Sequence, residues 1–224
     1  MGHIFTTSIQ HTGTWFIIRF LQNFIPNFIE ANLINGVPRK IEEDHLIHAH
    51  FSGINNCDFT KSLELGAIWF LSSLFPTVIP IRDPLAAILS RESRHPEQRH
   101  FYIVEGFIKM QQTLFSHPNV MFVPIDLPQT PDERFKVLSD VLVHCKIEPE
   151  PHKDLLMKCA TEWGVENANP QNRFKKMYAE KDMAQIEFLL GPKTAEVEYL
   201  KNNSPTIFVN FLQHLGYKRK DLLW

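Results

Sequence analysis

The chain has 224 residues, of which 44% are apolar, and a formal net charge of −2, so it is long enough for one large domain with its own core. A nearly balanced charge gives no electrostatic reason to expect nucleic acid as a partner. No apolar run approaches the roughly 18 residues of a transmembrane helix, and the first residues lack the charged and apolar regions of a secretory signal, so we expect a cytoplasmic protein without a membrane span.

Strand and helix patterns alternate along the first part of the chain. Residues 3–9 are β-branched and aromatic and predict a strand. A short polar turn with one glycine leads into an apolar helix, which Pro26 should end. Residues 45–51 predict a second strand, residues 61–75 a helix with apolar residues at helical spacing, and residues 77–83 a buried parallel strand.

The alternation continues to about residue 150 and then gives way to helices. Pro84 sits where a proline suits a first helical turn. The further predicted elements are a helix at 101–116, a strand at 119–125, a helix at 131–145, and helices near 152–163, 182–190, 193–202 and 205–215. This order predicts a single α/β domain over 1–224, with a central parallel sheet flanked by helices and a mostly helical part from about 150 to 224.

The turn after the first strand has the features of an anion site. His11, Thr12, Gly13 and Thr14 stand between a predicted strand and a predicted helix. Backbone N–H groups and the positive end of the helix dipole favour an anion there, although threonines around one glycine also suit an ordinary helix cap. The turn contains no lysine, so it is not the GxxxxGK[ST] loop of nucleoside triphosphatases and kinases.

A second motif stands at the end of the strand predicted at 77–83. Arg82, Asp83 and Pro84 end the strand, and Ser90 follows eight residues after the arginine. A guanidinium presents a fork of donors that matches phosphate oxygens, and a hydroxyl two helical turns further on can reach the same ligand. The structural alternative is an ion pair between Arg82 and a carboxylate such as that of Asp83.

The two motifs together resemble the sulfotransferase family. Its members carry an R-[DN]-P strand end with a serine eight residues after the arginine, and QHTGTWFI is similar to their P-K-S-G-T-T-W loop. The resemblance covers about 1–145 and implies a P-loop-type fold that binds 3′-phosphoadenosine 5′-phosphosulfate. The donor contacts that it implies are His11, Thr12, Gly13, Thr14, Trp15, Phe16, Arg82 and Ser90.

The sequence departs from the family pattern at three places. His11 stands where the family has a lysine that stabilises the leaving group. The adenine-stacking tryptophan corresponds to Phe16 without a gap, or to Trp15 if one residue is deleted. The C-terminal R-K-G loop has no clear counterpart. If that contact is replaced, the candidate residues are Lys193, Lys201 and Lys218.

Two histidines mark a possible acceptor site. His48 and His50 are two apart in a predicted strand and share one face. The resemblance to the family's T-H-L-P stretch implies that His50 is the general base, a role that suits a pKa near 6.5. Both histidines could instead be structural, or form a metal pair, which would need further ligands. In some branches of the family a glutamate acts as the base, so Glu42, Glu43 and Asp44 are further candidates for this role.

These features predict a sulfotransferase that transfers a sulfuryl group from the donor to a hydroxyl or amine of a small-molecule or carbohydrate acceptor. His50 would take the proton of the acceptor, and His11 would stabilise the leaving phosphate. We expect no metal, because the three scattered cysteines do not form a zinc motif. The alternatives are a P-loop nucleotide kinase and a non-catalytic nucleotide-binding protein of the same fold.

Overall fold

A computed structural model describes residues 2–8, 13–30, 44–51, 58–83, 87, 106, 109–110, 112–163, 202 and 206–217. The strands are β1 (Ile4–Ser8), β2 (Phe28–Glu30), β3 (Leu46–His50), β4 (Thr77–Ile81) and β5 (Val120–Pro124). The helices are α1 (Thr14–Gln22), α2 (Asp58–Leu74), α3 (Pro131–His144), α4 (Lys153–Glu162) and α5 (Thr206–His214), and a 3₁₀ turn, Glu150–His152, precedes α4.

The five strands form one sheet in the order β2-β3-β1-β4-β5. Every neighbouring pair is parallel. All five strands therefore end at the same edge, called the carboxyl edge below, and begin at the opposite amino edge. The prediction of an α/β fold with a parallel sheet flanked by helices is confirmed.

Helices cover both faces of the sheet. Successive residues of a strand point to opposite faces, so Phe122 and Val123 of β5 show which helices lie on each side. The ring of Phe122 packs against Phe211 of α5, with centroids 4.9 Å apart. Val123 belongs to the main apolar core on the other face, together with Ile4, Leu46, Val78, Ile17, Ile18, Phe20, Leu21, Leu138, Val141 and Leu142.

Most predicted boundaries agree with the structure to within a few residues. The strands at 3–9, 45–51, 77–83 and 119–125 correspond to β1, β3, β4 and β5. The edge strand β2 was not predicted, because three partly exposed residues carry too little alternation to be recognised. The helix predicted at 182–190, and most of those predicted after Pro84 and at 193–202, lie outside the described residues.

Local signals explain why α3 begins and ends where it does. Thr130 accepts a hydrogen bond from the Glu133 N–H at 3.2 Å, and the Glu133 carboxylate accepts one from the Thr130 N–H at 3.0 Å. This reciprocal capping box satisfies two free donors of the first turn. At the other end, Lys146 takes a left-handed conformation with φ of 60°, and the Ile147 N–H closes the helix on Leu142 O.

Within the part of the chain that the structure describes, no helix combines the length and apolarity that a membrane crossing requires.

Candidate functional site

The two predicted motifs lie at neighbouring strand ends. The chain leaves β1 toward β2 and β3 on one side, and leaves β4 toward β5 on the other side. The crevice between the carboxyl ends of β1 and β4 is therefore the topological switch point, where open α/β sheets bind their ligands. Gly13 lies in the connection that follows β1, and Arg82 comes directly after β4. The fold thus places Gly13 and Arg82, the described residues of the two motifs, at the same crevice.

Glycine is the only residue that fits position 13. Gly13 is the N-cap of α1 and has φ of 86°, in the left-handed region. A Cβ atom added there would lie 2.1 Å from Cδ1 of Ile125, which follows β5. Gly13 is therefore packed directly against Ile125, the residue after β5. Both the backbone conformation and the space require glycine.

The start of α1 has no side-chain cap from its N-cap residue. Gly13 offers only its carbonyl, which accepts from the Phe16 N–H at 3.1 Å, and the first turn contains no acidic residue. The Thr14 and Ser8 hydroxyls are buried and form a hydrogen bond of 2.5 Å, which fixes the helix start on the end of β1. No side-chain carboxylate of the first turn therefore offsets the positive end of the α1 dipole.

The structure distinguishes the two candidate stacking residues. Trp15 is 54% exposed, and its nearest ring is that of Phe28, at a centroid distance of 6.5 Å. Phe16 packs against Trp163, which follows α4, with centroids 4.5 Å apart. Phe16 is therefore engaged by Trp163, whereas the ring of Trp15 is the more exposed of the two.

The end of β4 is held by a carboxylate from the end of β5. Arg82 is half-buried and Asp83 is fully buried. The backbone N–H of Asp83 donates to Oδ2 of Asp126 at 3.0 Å. The other oxygen, Oδ1, accepts from the hydroxyl of Tyr217, after α5. The sequence carries no motif that predicts this link from Asp126 to Tyr217.

The two histidines of β3 occupy different positions along the strand. His48 is fully buried, and its Nδ1 is 2.9 Å from the Thr6 hydroxyl. The same hydroxyl also lies 3.3 Å from Ile47 O, and the tautomer of His48 decides whether Nδ1 or the hydroxyl donates in the shorter bond. His48 is therefore a structural hydrogen-bonding residue. His50 ends the strand, and its Cα is paired with that of Ser8 at the carboxyl edge.

Several predicted site residues lie outside the described part of the chain. They are His11, Thr12, Ser90, Glu42, Glu43, Lys193, Lys201, Lys218 and the side chain of His50. The candidate carboxylate Asp44 precedes β3 and is thus at the amino edge, where its carbonyl accepts from Asn27 Nδ2 at 3.3 Å. Asp44 is therefore remote from the crevice. The described residues contain no group of three potential metal ligands.

The clearest pKa shifts in the described core belong to groups away from the crevice. Nε2 of His144 donates to the carbonyls of Thr77 and Asn119, each at 3.1 Å, at the amino edge. Burial lowers the pKa of His144 despite these hydrogen bonds. Burial also raises the pKa of the Cys145 thiol to about 12. Both groups are neutral at pH 7, and both contribute to the packing and hydrogen bonding of the fold.

Comparisons of the chain with protein-family models, curated proteins and solved structures find no match.

Proposed function

We propose that the chain is a sulfotransferase that binds 3′-phosphoadenosine 5′-phosphosulfate between the ends of β1 and β4. It transfers the sulfuryl group to a hydroxyl or amine of a small-molecule or carbohydrate acceptor. The observation that carries the proposal is the placement of Gly13 and Arg82 after the two strands that border the switch point of the sheet. A ligand that spans this crevice can contact both motifs at once.

The two motifs suit the two ends of one nucleotide. The N-terminal end of α1, with its free N–H groups and dipole, suits the 5′-phosphosulfate, together with His11 and Thr12. Arg82 offers a planar fork of donors for the 3′-phosphate, with Ser90 as a second donor. Trp15 is exposed beside the N-cap of α1 and suits the adenine ring, since aromatic side chains stack on the faces of bases.

Transfer then follows an in-line displacement. The acceptor oxygen or nitrogen forms a bond to sulfur while the bond between sulfur and the bridging oxygen of the 5′-phosphate breaks. His50 takes the proton of the acceptor, and its place at the end of β3, opposite Ser8, puts it at the edge where the donor lies. His11 and the N–H groups of the turn stabilise the charge on the departing 3′-phosphoadenosine 5′-phosphate.

Calorimetry with the desulfated donor, 3′-phosphoadenosine 5′-phosphate, tests the donor assignment. We expect this ligand to bind more tightly than either 5′-AMP, which lacks the 3′-phosphate, or ATP. The Arg82→Ala variant should lose about tenfold or more in affinity for the bisphosphate and little for 5′-AMP, because only the bisphosphate uses the charged hydrogen bonds of the guanidinium. Arg19→Ala, an exposed change in the last turn of α1, is the matched control.

The outcomes separate the alternatives. Preference for ATP over the bisphosphate would favour a nucleotide kinase and refute the proposal. Binding of the bisphosphate without turnover, measured with labelled donor and pooled hydroxyl and amine acceptors, would indicate a non-catalytic nucleotide-binding protein. Binding together with label transfer is the result that we expect.

A further inference from the structure

One carboxylate connects three segments that are far apart in the sequence. Asp126 follows β5 at the carboxyl edge, and its Oδ2 accepts from the Asp83 N–H at 3.0 Å. Its Oδ1 accepts from the hydroxyl of Tyr217, 91 residues further along the chain. The end of β4 is thereby joined to the turn that follows α5.

The residue before Asp126 contacts the other motif. The Ile125 N–H donates to Ile81 O at 2.9 Å, which extends the pairing of β5 with β4. The Ile125 side chain fills the space that a Cβ atom at Gly13 would need. Ile125 therefore contacts Gly13, and Ile125 and Asp126 both contact the segment that carries Arg82. A shift of this pair therefore acts on both segments.

Tyr217, which donates to Asp126, is fixed in position by burial and by backbone hydrogen bonds. It is 3% exposed, and its N–H donates to Leu212 O at 3.0 Å. Gly216 precedes it with φ of 97°, and the Gly216 N–H donates to Gln213 O at 2.9 Å. These two hydrogen bonds form a Schellman motif at the end of α5. The tyrosine hydroxyl is therefore presented to Asp126 by a well-defined turn.

We propose that Asp126 and Tyr217 are positioning residues for Arg82, so that the turn after α5 sets the affinity for a 3′-phosphate without contacting it. A hydrogen bond to an ionised carboxylate is stronger than one between neutral groups, so the tyrosine hydroxyl restrains the carboxylate. The carboxylate in turn restrains the backbone one residue after Arg82. This inference rests on the proposed donor site, because its effect on affinity requires a ligand with a 3′-phosphate.

The test is a double-mutant cycle on binding of 3′-phosphoadenosine 5′-phosphate, using Tyr217→Phe, which keeps the buried ring and removes only the hydroxyl. We expect about threefold to tenfold weaker binding, with no comparable loss for 5′-AMP. In an Arg82→Ala background the same change should cost less than about twofold, because the effect acts through the guanidinium. An unchanged affinity in Tyr217→Phe, or an equal loss in both backgrounds, would overturn the inference.

Hydrogen exchange at the Asp83 amide supplies a readout that needs no nucleotide. Tyr217→Phe and Asp126→Asn should each speed exchange at this amide, while the amides of the central strand β1 keep their protection. If the wild-type chain binds no bisphosphate, the proposed function fails, and exchange alone still tests the coupling. Unchanged exchange at Asp83 in both variants would refute the link whatever the chain binds.

Discussion

Alanine at position 13 tests the packing of the anion turn directly. Gly13→Ala forces a Cβ into the left-handed region at φ of 86°, which costs roughly 1–2 kcal/mol. It also places that atom 2.1 Å from Ile125 Cδ1, and overpacking of this kind costs about 1–3 kcal/mol. The two contributions together predict a loss of about 2–5 kcal/mol in the free energy of unfolding, measured by urea denaturation.

A second change separates the two contributions. In an Ile125→Ala background the isoleucine side chain is absent, so Gly13→Ala should cost only the conformational part, roughly 1–2 kcal/mol. Gly216→Ala is the matched control, because Gly216 has φ of 97° and a Cβ atom added there would lie at an ordinary 3.4 Å from Leu127 Cδ1. If Gly13→Ala costs no more than Gly216→Ala, or if removal of the Ile125 side chain brings no relief, the described packing is wrong.

Three further predictions concern stability, pH and kinetics. Lys146→Gly should stabilise the chain by about 0.5–1 kcal/mol in urea denaturation, because glycine removes the left-handed strain at φ of 60°; a loss of stability would contradict this. The lowered pKa of His144 means that acid protonates the unfolded state first. Stability should therefore fall as the pH drops below about 6.5, and less steeply in His144→Gln, with equal slopes refuting the assignment. In steady-state assays His11→Ala should lower kcat more than donor affinity, and Arg82→Ala should chiefly raise the donor KM; small and equal effects of the two would contradict the roles.

The elements that could be predicted from sequence are those with strong local signals. The helix predicted at 131–145 begins with Pro131 and the acidic residues Asp132 and Glu133, and the structure confirms it as α3. The apolar runs of β1, β3 and β4 likewise identify buried strands. The strand β2 carries no such signal, because its place in the sheet depends on pairing with β3.

The contacts that organise the candidate site join residues far apart in the chain, so no local sequence pattern predicts them. The glycine at position 13 could be connected with a tight turn, but its need for space depends on Ile125 of a distant strand end. The sequence does not separate Trp15 from Phe16 as the candidate stacking ring, because the packing of Phe16 on Trp163 joins residues far apart in the chain. The link from Tyr217 to Asp126 joins residues with no common motif.

The two histidines of β3 show why register matters for the proposed chemistry. His48 and His50 have the same side-chain type and share one face of the predicted strand, and only the resemblance to the sulfotransferase family implies His50 as the base. The pairing with β1 separates them: His48 is opposite Thr6 inside the sheet, and His50 is opposite Ser8 at its carboxyl edge. A base must reach the acceptor from the crevice, and a fully buried ring bonded to Thr6 is committed to the core. We therefore propose the strand end as the position of proton transfer, and His50 as the histidine that performs it.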